Sequence, residues 1–221
     1  MKLLLSALTK FLGGFLLVAL LLFLPAGTVF YTGGWLFCAL LFLPILILGI
    51  VLFCKAPALL EKRLEHKETE KTQQRVVALS ALLFLGGFIT AGLDFRFGWT
   101  HVPTWLVVTA SVVLLVSYAL YAEVMRENAY LSRTVKVEKE QTVVDTGLYG
   151  IVRHPMYAVT VWLFLSIPLV LGSFLSLLFF LHYPILIVLR IRNEEAVLRE
   201  GLAGYKEYQK KVKYRLIPFL W

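Results

Sequence analysis

One apolar block decides the fold: residues 156–189, with the sequence MYAVTVWLFLSIPLVLGSFLSLLFFLHYPILIVL. The block is interrupted near Gly172-Ser173, and both of its flanks are basic. Because Lys and Arg collect on the cytoplasmic side of membrane proteins, the chain should enter and leave the bilayer on the same side. The block is therefore predicted to form a helical hairpin. Each arm of about 16 residues is roughly 24 Å long, short against an apolar core of about 30 Å.

Four further apolar segments precede this hairpin. They are residues 11–24 (extending back to residue 3), 35–53, 76–93 and 104–122. The chain is 59% hydrophobic and only 16% charged, whereas a soluble domain is about half apolar and a quarter charged. The sequence predicts an all-α polytopic membrane protein with about six transmembrane segments. Residues 1–122 would form an N-terminal region of four transmembrane helices, and residues 123–221 a C-terminal region that contains the helical hairpin and a polar tail.

The distribution of basic residues predicts the orientation. Segments 55–75, 123–155 and 190–221 contain six, five and eight Lys or Arg residues, whereas loops 25–34 and 94–103 contain none and one. Basic and nearly uncharged loops thus alternate, so both termini are predicted to be cytoplasmic. The net charge of +8 follows from the same pattern, and no nucleic-acid partner is expected.

Polar residues gather on both sides of the hairpin. A hairpin brings its own ends together, so six residues should converge at the cytoplasmic membrane surface: Arg153, His154, Tyr157, Arg190, Glu194 and Glu195. Each has an ordinary structural explanation when it is taken alone. The arginines could be membrane anchors, Pro155 could simply begin a helix, and Arg190 and Glu194 could pair along one helix face.

Taken together, the motifs resemble a known family. Arg153-His-Pro-Met-Tyr157 is followed about 35 residues later by Glu194-Glu-x-x-Leu198, then by Gly204-Tyr-Lys-Glu-Tyr208 and Tyr214-Arg-Leu-Ile-Pro218. This pattern resembles the isoprenylcysteine carboxyl methyltransferase family, to which phospholipid methyltransferases are related. The resemblance covers about residues 128–221. The family pattern usually has Gly at the position of Val159, where a glycine would allow close approach of a ligand or backbone.

The resemblance implies S-adenosyl-L-methionine as the cofactor, held by a cytoplasmic cofactor cap in a C-terminal catalytic region of residues 123–221. Methyl transfer from its sulfonium needs no metal, and the sequence has no metal-spaced cluster of Cys or His. By position, the cofactor-binding residues would be Gln141, Thr142, Val143, Val144, Tyr149, His154, Pro155, Met156, Tyr157 and Glu194. Arg190 would bind the substrate and contribute to catalysis, since a planar guanidinium can hold a carboxylate through two hydrogen bonds. A carboxylate nucleophile is already ionised at neutral pH and needs no base. An amine nucleophile would need deprotonation, and Glu195 or Tyr157 would then act catalytically.

Three functions remain open from the sequence. The first is methyl transfer to a lipophilic small molecule or lipidated acceptor from the membrane, with the carboxylate of an isoprenylcysteine-like substrate favoured. The second is N-methylation of a phospholipid amine, and the third is a non-catalytic transporter or scaffold. A transporter usually carries ionisable residues in mid-membrane, and within the six segments only His182 and the marginal Lys10 fit that description. This favours an enzyme.

Overall fold

The computed structural model describes residues 2–64, 71–131, 137 and 140–221. Throughout these residues the regular structure is helical. The α-helices in chain order are α1 Lys2–Ala26, α2 Thr32–Lys55, α3 Pro57–Leu64, α4 Lys71–Phe97, α5 Thr104–Glu127, α6 Pro155–Val170, α7 Phe174–Phe180, α8 Tyr183–Gly201 and α9 Tyr205–Lys211. A single 3₁₀ turn, Gly147–Gly150, precedes α6.

Five helical stretches in the described chain are long and apolar enough to cross a membrane. They are α1, α2, α4 from Thr72, α5, and the 28-residue stretch Phe174–Gly201 that contains α7 and α8. Over its described residues the chain is therefore helical, and these five stretches are consistent with an integral membrane protein that crosses the bilayer several times. The sixth predicted segment corresponds to α6, which has 16 residues and is shorter than the roughly 17 residues that a spanning helix requires. Its crossing of the bilayer stays a prediction.

Several helices continue beyond the apolar segments seen in the sequence. α5 reaches Glu127, beyond residue 122, where the predicted segment 104–122 ends. Its last turns carry an ion pair between Arg126 and Glu123, with the nitrogen and oxygen atoms 2.6 Å apart. α8 likewise continues to Gly201. Polar residues continue both helices beyond their apolar segments, and parts of these continuations are buried: Val124 and Met125 in α5, and Ile191 and Glu195 in α8. The apolar segments therefore marked only the parts of the helices that suit a membrane, and not the helix ends.

The charged segment 55–75, which the sequence predicts to be a loop, contains the helix α3. α3 buries Leu59 and Leu60 and places Glu61 on its exposed side. Eight residues carry too little apolar periodicity to stand out in a hydropathy profile. Residues 65–70, in the same segment, lie outside the described part of the chain.

The membrane helices pack around one aromatic and aliphatic core. Its fully buried members include Leu22, Phe37, Leu114, Ile167 and Phe180. Two adjacent glycines of α4 allow α7 to approach closely: a Cβ added at Gly86 or Gly87 would lie 2.4 or 2.5 Å from the ring of Phe179 or Phe180. Small residues at a contact of this kind are how membrane helices achieve van der Waals packing.

At the opposite end of the bundle from the polar flanks, the turn between α6 and α7 is fixed by hydrogen bonds. The buried carboxylate of Asp94, in α4, accepts hydrogen bonds from the hydroxyl of Ser173 and from the backbone N–H of Thr100 at 2.7 Å. Tyr31 donates its hydroxyl to the carbonyl of Leu171 at 2.6 Å. The turn that joins α6 to α7 is thus tied to α4 and to the loop between α1 and α2.

Candidate cofactor cleft

The first turns of α6 lie against the middle of α8. Tyr157 donates its hydroxyl to the carboxylate of Glu194, and Arg190 Nε donates to the same hydroxyl oxygen at 2.8 Å. The guanidinium carbon of Arg190 is 5.7 Å from the centroid of the Tyr157 ring. Three residues from the two ends of the apolar block therefore form one hydrogen-bonded group, because α6 and α8 pair with their polar ends together.

A second polar group lies beside the first and is centred on Glu195. This residue is fully buried. Its Oε1 accepts a hydrogen bond from Arg153 Nε at 2.7 Å and lies 3.3 Å from His154 Nε2, while Oε2 accepts from Arg215 Nε at 3.0 Å. A buried charge is tolerated only when it is paired and hydrogen-bonded in this way.

The same group fixes the segment that follows α9. Arg153 Nη1 donates to the carbonyls of Val212 and Lys213 at 2.7 and 2.8 Å. The backbone N–H groups of Arg153 and His154 donate to the carbonyls of Tyr214 and Arg215, both at 2.9 Å. Glu195 and Arg153 thus clamp residues 212–215 across the beginning of α6.

A cleft opens next to these two groups. Its empty volume is about 870 Å³, which includes space open to solvent. Four parts of the chain form its walls: residues 128–131 after α5, residues 141–149, the start of α6, and α8 with α9. The residues that line it are Asn128, Tyr130, Leu131, Gln141, Thr142, Val143, Val144, Tyr149, Arg153, His154, Met156, Tyr157, Arg190, Glu194, Leu198, Leu202, Tyr205 and Tyr208.

Most residues singled out from the sequence face this cleft. Among the lining residues are Gln141, Thr142, Val143, Val144, Tyr149, His154, Met156, Tyr157, Arg190 and Glu194. Pro155 is buried at the first position of α6 and shapes the wall without lining it. Glu195 also lies outside the lining, behind it, in the arginine group. Val159 is buried and is not among the described residues that line the cleft.

Tyr205 and Tyr208 of α9 complete the lining of the cleft, although the sequence predicts no role for them. Tyr208 donates its hydroxyl to the carbonyl of Tyr149 at 2.7 Å, which joins α9 to the 3₁₀ turn. Tyr205 is buried, and within the described chain its hydroxyl has no hydrogen-bond partner. Their i,i+3 spacing places both rings on one side of the short helix α9. Gly204 immediately precedes this helix and has a φ of 80°, which favours glycine. The i,i+3 spacing was the feature of the sequence that could have indicated a shared role for the two tyrosines.

The cleft tyrosines are neutral at physiological pH. Burial raises the pKa of Tyr149 to about 12, and the pKa values of Tyr205 and Tyr208 are also raised above their ordinary value, mainly by burial. A neutral phenol can both donate and accept a hydrogen bond. The cleft therefore presents neutral hydroxyl groups together with the carboxylate of Glu194.

The part of the chain that the structure describes contains no group of three or more His, Cys, Asp or Glu residues arranged to hold a metal ion. The polar side chains at the cleft contact one another through hydrogen bonds and ion pairs. The fold and the cleft together define a class: a polytopic membrane protein with a polar binding cleft where its helices α6 and α8 meet.

Comparison with known proteins identifies the family of this region. Residues 99–200 match the model of the Isoprenylcysteine carboxyl methyltransferase (ICMT) family. The match contains α5, α6, α7 and nearly all of α8, the helices that carry most of the cleft. The family resemblance indicated by the motifs is thus confirmed over residues 128–200. The motifs Gly204-Tyr-Lys-Glu-Tyr208 and Tyr214-Arg-Leu-Ile-Pro218 lie beyond the match.

Two curated proteins are similar to part of the chain. One is Delta(14)-sterol reductase TM7SF2 of Mus musculus, 31% identical over 91 residues, which are 40% of this chain and 22% of the reductase. The other is the uncharacterized protein YpbQ of Bacillus subtilis (strain 168), 31% identical over 98 residues, which are 44% of this chain and 58% of YpbQ. The chain therefore matches between a fifth and three fifths of the length of these relatives.

Proposed function

We propose that this protein transfers a methyl group from S-adenosyl-L-methionine to a lipophilic acceptor at the cytoplasmic membrane face. The favoured acceptor group is the carboxylate of an isoprenylcysteine-like molecule. The observation that carries the proposal is the hydrogen-bonded group of Tyr157, Arg190 and Glu194 in the wall of the cleft. It lies in the region that matches a family named for carboxyl methylation.

The residues of the cleft fit this cofactor. S-adenosyl-L-methionine has an amine, a carboxylate, ribose hydroxyls and an adenine ring. The carboxylate of Glu194 can accept hydrogen bonds from an amine or from hydroxyls. The backbone at residues 141–144, which lies outside the helices, offers donors and acceptors to a planar base. The buried hydroxyl of Tyr205, which has no hydrogen-bond partner among the described residues, supports the fit further, because buried polar groups rarely lack partners.

When bound, the cofactor supplies a methyl group activated by a positively charged sulfur. The residues of this chain then hold the acceptor and exclude water, and their main contribution is alignment. Arg190 can bind an acceptor carboxylate through a planar pair of hydrogen bonds. Its present contact with Tyr157 holds the guanidinium at the cleft. A carboxylate acceptor is ionised at neutral pH, so no residue must remove a proton from it.

With an amine acceptor, Glu195 was expected to act as the base that removes a proton. The contacts of its carboxylate support a different role. Its carboxylate is fully buried outside the cleft lining and is paired with Arg153 and Arg215. A base must reach the proton that it removes, and this carboxylate is occupied by guanidinium groups. We assign Glu195 to positioning the chain segment after α9. Glu195 therefore supplies no base for an amine acceptor. The other candidate base, Tyr157, already donates its hydroxyl to Glu194. Methylation of a carboxylate needs no base and is therefore favoured over methylation of a phospholipid amine.

Reduction of a lipid is the second candidate, and one observation favours it: the 31% identity to Delta(14)-sterol reductase TM7SF2. A reductase needs a hydride donor, and dinucleotide donors carry negatively charged phosphates. The cleft lining carries Arg153 and Arg190 beside Glu194, so its charge does not exclude phosphates. The carboxylate of Glu194 would attract the amine of S-adenosyl-L-methionine. The comparisons favour methyl transfer, because the methyltransferase family model matches residues 99–200 whereas the match covers only 22% of the reductase.

Calorimetry on purified protein separates these candidates. We expect heat of binding with S-adenosyl-L-methionine and with its demethylated product, and none with NADPH, all without added metal. A second assay supplies methyl-labelled cofactor with an S-prenylated N-acetylcysteine or with the methyl ester of the same compound. Label should enter only the free carboxylic acid. Folded protein that binds NADPH and neither adenosyl compound would overturn the proposal, and so would labelling of a lipid amine instead of the acid.

A further inference from the structure

A second cavity lies far from the cleft in sequence, between α1, α2 and α3. It is an apolar groove with an empty volume of about 1030 Å³, including space open to the outside. Apart from Lys10, its walls are apolar, and they include Leu4 and Gly14 of α1, Gly49, Ile50 and Phe53 of α2, and Leu64 of α3. Many of these side chains are exposed, Leu4, Ile50 and Phe53 among them.

Two glycines keep the groove open. A Cβ built at Gly14 in α1 or at Gly49 in α2 meets nothing within 4 Å. These helices therefore do not close on each other at these positions, unlike α4 and α7 at Gly86 and Gly87. Glycines at a helix contact normally permit close approach. Here they leave space for another molecule.

One end of the groove is positively charged. An adjoining cavity is lined by Lys2, Lys10 and Lys62, with Glu61 as the carboxylate among its described lining residues. Lys10 and Leu64 line both cavities, so the charged and the apolar spaces are continuous. Lys10 Nζ donates to the carbonyl of Leu64 at 2.5 Å, which holds this ammonium group at the boundary between them.

The depth of the groove equals one leaflet of a bilayer. From Leu4 to Gly14 the wall on α1 rises about 15 Å, at about 1.5 Å per residue. Half of an apolar core about 30 Å thick is also about 15 Å. The charged end lies at the first turn of α1 and at α3, on the predicted cytoplasmic side, where anionic lipids give the membrane surface its negative potential.

We infer that the groove between α1, α2 and α3 is a binding site for an anionic phospholipid of the cytoplasmic leaflet. Its acyl chains lie along Gly14 and Gly49, and its phosphate-containing headgroup contacts the ammonium groups of Lys2 and Lys10. The lysines favour a negatively charged headgroup. The length of the apolar groove favours a lipid with acyl chains over a free anion. The site is separate from the cofactor cleft, so its occupant is a bound lipid and not the methyl acceptor.

Native mass spectrometry of the purified protein tests the site with two defined lipids, phosphatidylglycerol and phosphatidylcholine of identical acyl chains. Wild-type protein should retain phosphatidylglycerol at least about tenfold more tightly, since several lysines act together. Lys2→Gln should reduce that preference about fivefold, the effect of one basic residue near an anionic surface. Lys55→Gln, which removes an exposed lysine outside both cavities, is the matched control and should leave the preference unchanged.

Neighbouring glycines supply a matched pair for the apolar part. Gly14→Leu fills the groove, whereas Gly13→Leu adds the same side chain to the same helix outside the lining, and neither new Cβ meets an atom within 4 Å. Gly14→Leu should lose bound phosphatidylglycerol, while Gly13→Leu should retain it, at equal melting temperatures. Gly49→Leu should reproduce the loss from the facing helix. Equal retention of the two lipids by wild-type protein, or equal retention by Gly14→Leu and Gly13→Leu, would overturn the assignment.

Discussion

Glu194 and Glu195 are adjacent in the chain, and the same substitution at the two positions should have opposite effects. Glu195→Gln keeps the shape of the side chain but removes a charge that is fully buried and contacts Arg153, His154 and Arg215. Removing one partner of a buried ion pair costs about 3–5 kcal/mol. Because the Arg215 side chain is 32% exposed, and water can solvate its guanidinium, we expect the lower end, about 3 kcal/mol.

The assay is thermal unfolding in detergent, combined with calorimetry of cofactor binding. For a chain of this size, 1 kcal/mol shifts the melting temperature by roughly 2–4 °C. Glu195→Gln should therefore lower the melting temperature by roughly 6–12 °C. It should also weaken cofactor binding, because residues 212–215 would no longer be held against the start of α6.

Glu194→Gln is the matched comparison. Glu194 lines the cleft, and its carboxylate accepts a hydrogen bond from Tyr157. Its loss should leave the melting temperature within about 2 °C of wild type while costing about 1.5–3 kcal/mol of cofactor binding, roughly tenfold to over a hundredfold in affinity. If Glu195→Gln melts like wild type yet loses cofactor binding, the positioning role of Glu195 is refuted. A large melting shift in Glu194→Gln would refute its assignment to the cofactor.

Three further outcomes are expected. Arg190→Ala should abolish methyl transfer with little change in cofactor affinity; equal loss of cofactor binding in Arg190→Ala and Glu194→Gln would show that the two residues form only a structural pair. Tyr205→Phe removes a buried hydroxyl without a partner in the described chain, so it should weaken cofactor binding while leaving the apoprotein equally or more stable; a destabilised apoprotein would contradict this. The folded pKa of Tyr149 is raised from 10.0 to about 12, so its neutral form contributes stability below pH 10 that is lost as the pH rises towards 12; unfolding between pH 9 and pH 12 should show a shallower decline in Tyr149→Phe, and identical pH profiles would contradict the raised pKa.

Much of the architecture could be predicted because a membrane imposes strong requirements on composition. Every backbone group in the bilayer must be satisfied within a helix, so long apolar runs such as those of α1 and α2 indicate helices directly. The sequence does not reveal α3 because the helix is short: four apolar residues, Pro57 to Leu60, are followed directly by three charged ones, so no helical periodicity appears. The ends of α5 and α8 were missed because polar residues continue both helices beyond the apolar runs.

The candidate site was predicted in part, and the difference has a physical basis. Pairing the ends of one apolar block was enough to place Tyr157 beside Arg190 and Glu194. Which of two adjacent glutamates faces the cleft depends on the rotation of α8 and on the partners that each carboxylate finds. Glu195 meets Arg215, 20 residues later in the chain, and no local pattern records that contact. Tyr205 belongs to the motif Gly204-Tyr-Lys-Glu-Tyr208, but its place in the wall depends on how α9 packs beside the cleft.

The path of residues 212–215 also dictates the order in which the protein can mature. Glu195 and Arg153 are synthesised before Arg215, so while the chain emerges from the ribosome the carboxylate lacks one of its cations. The carbonyls of Tyr214 and Arg215, which accept hydrogen bonds from the beginning of α6, also arrive late. Membrane insertion of the earlier helices can precede this step, but closure of the cleft wall cannot. A stalled or prematurely terminated chain would thus be inserted and yet unable to bind its ligand.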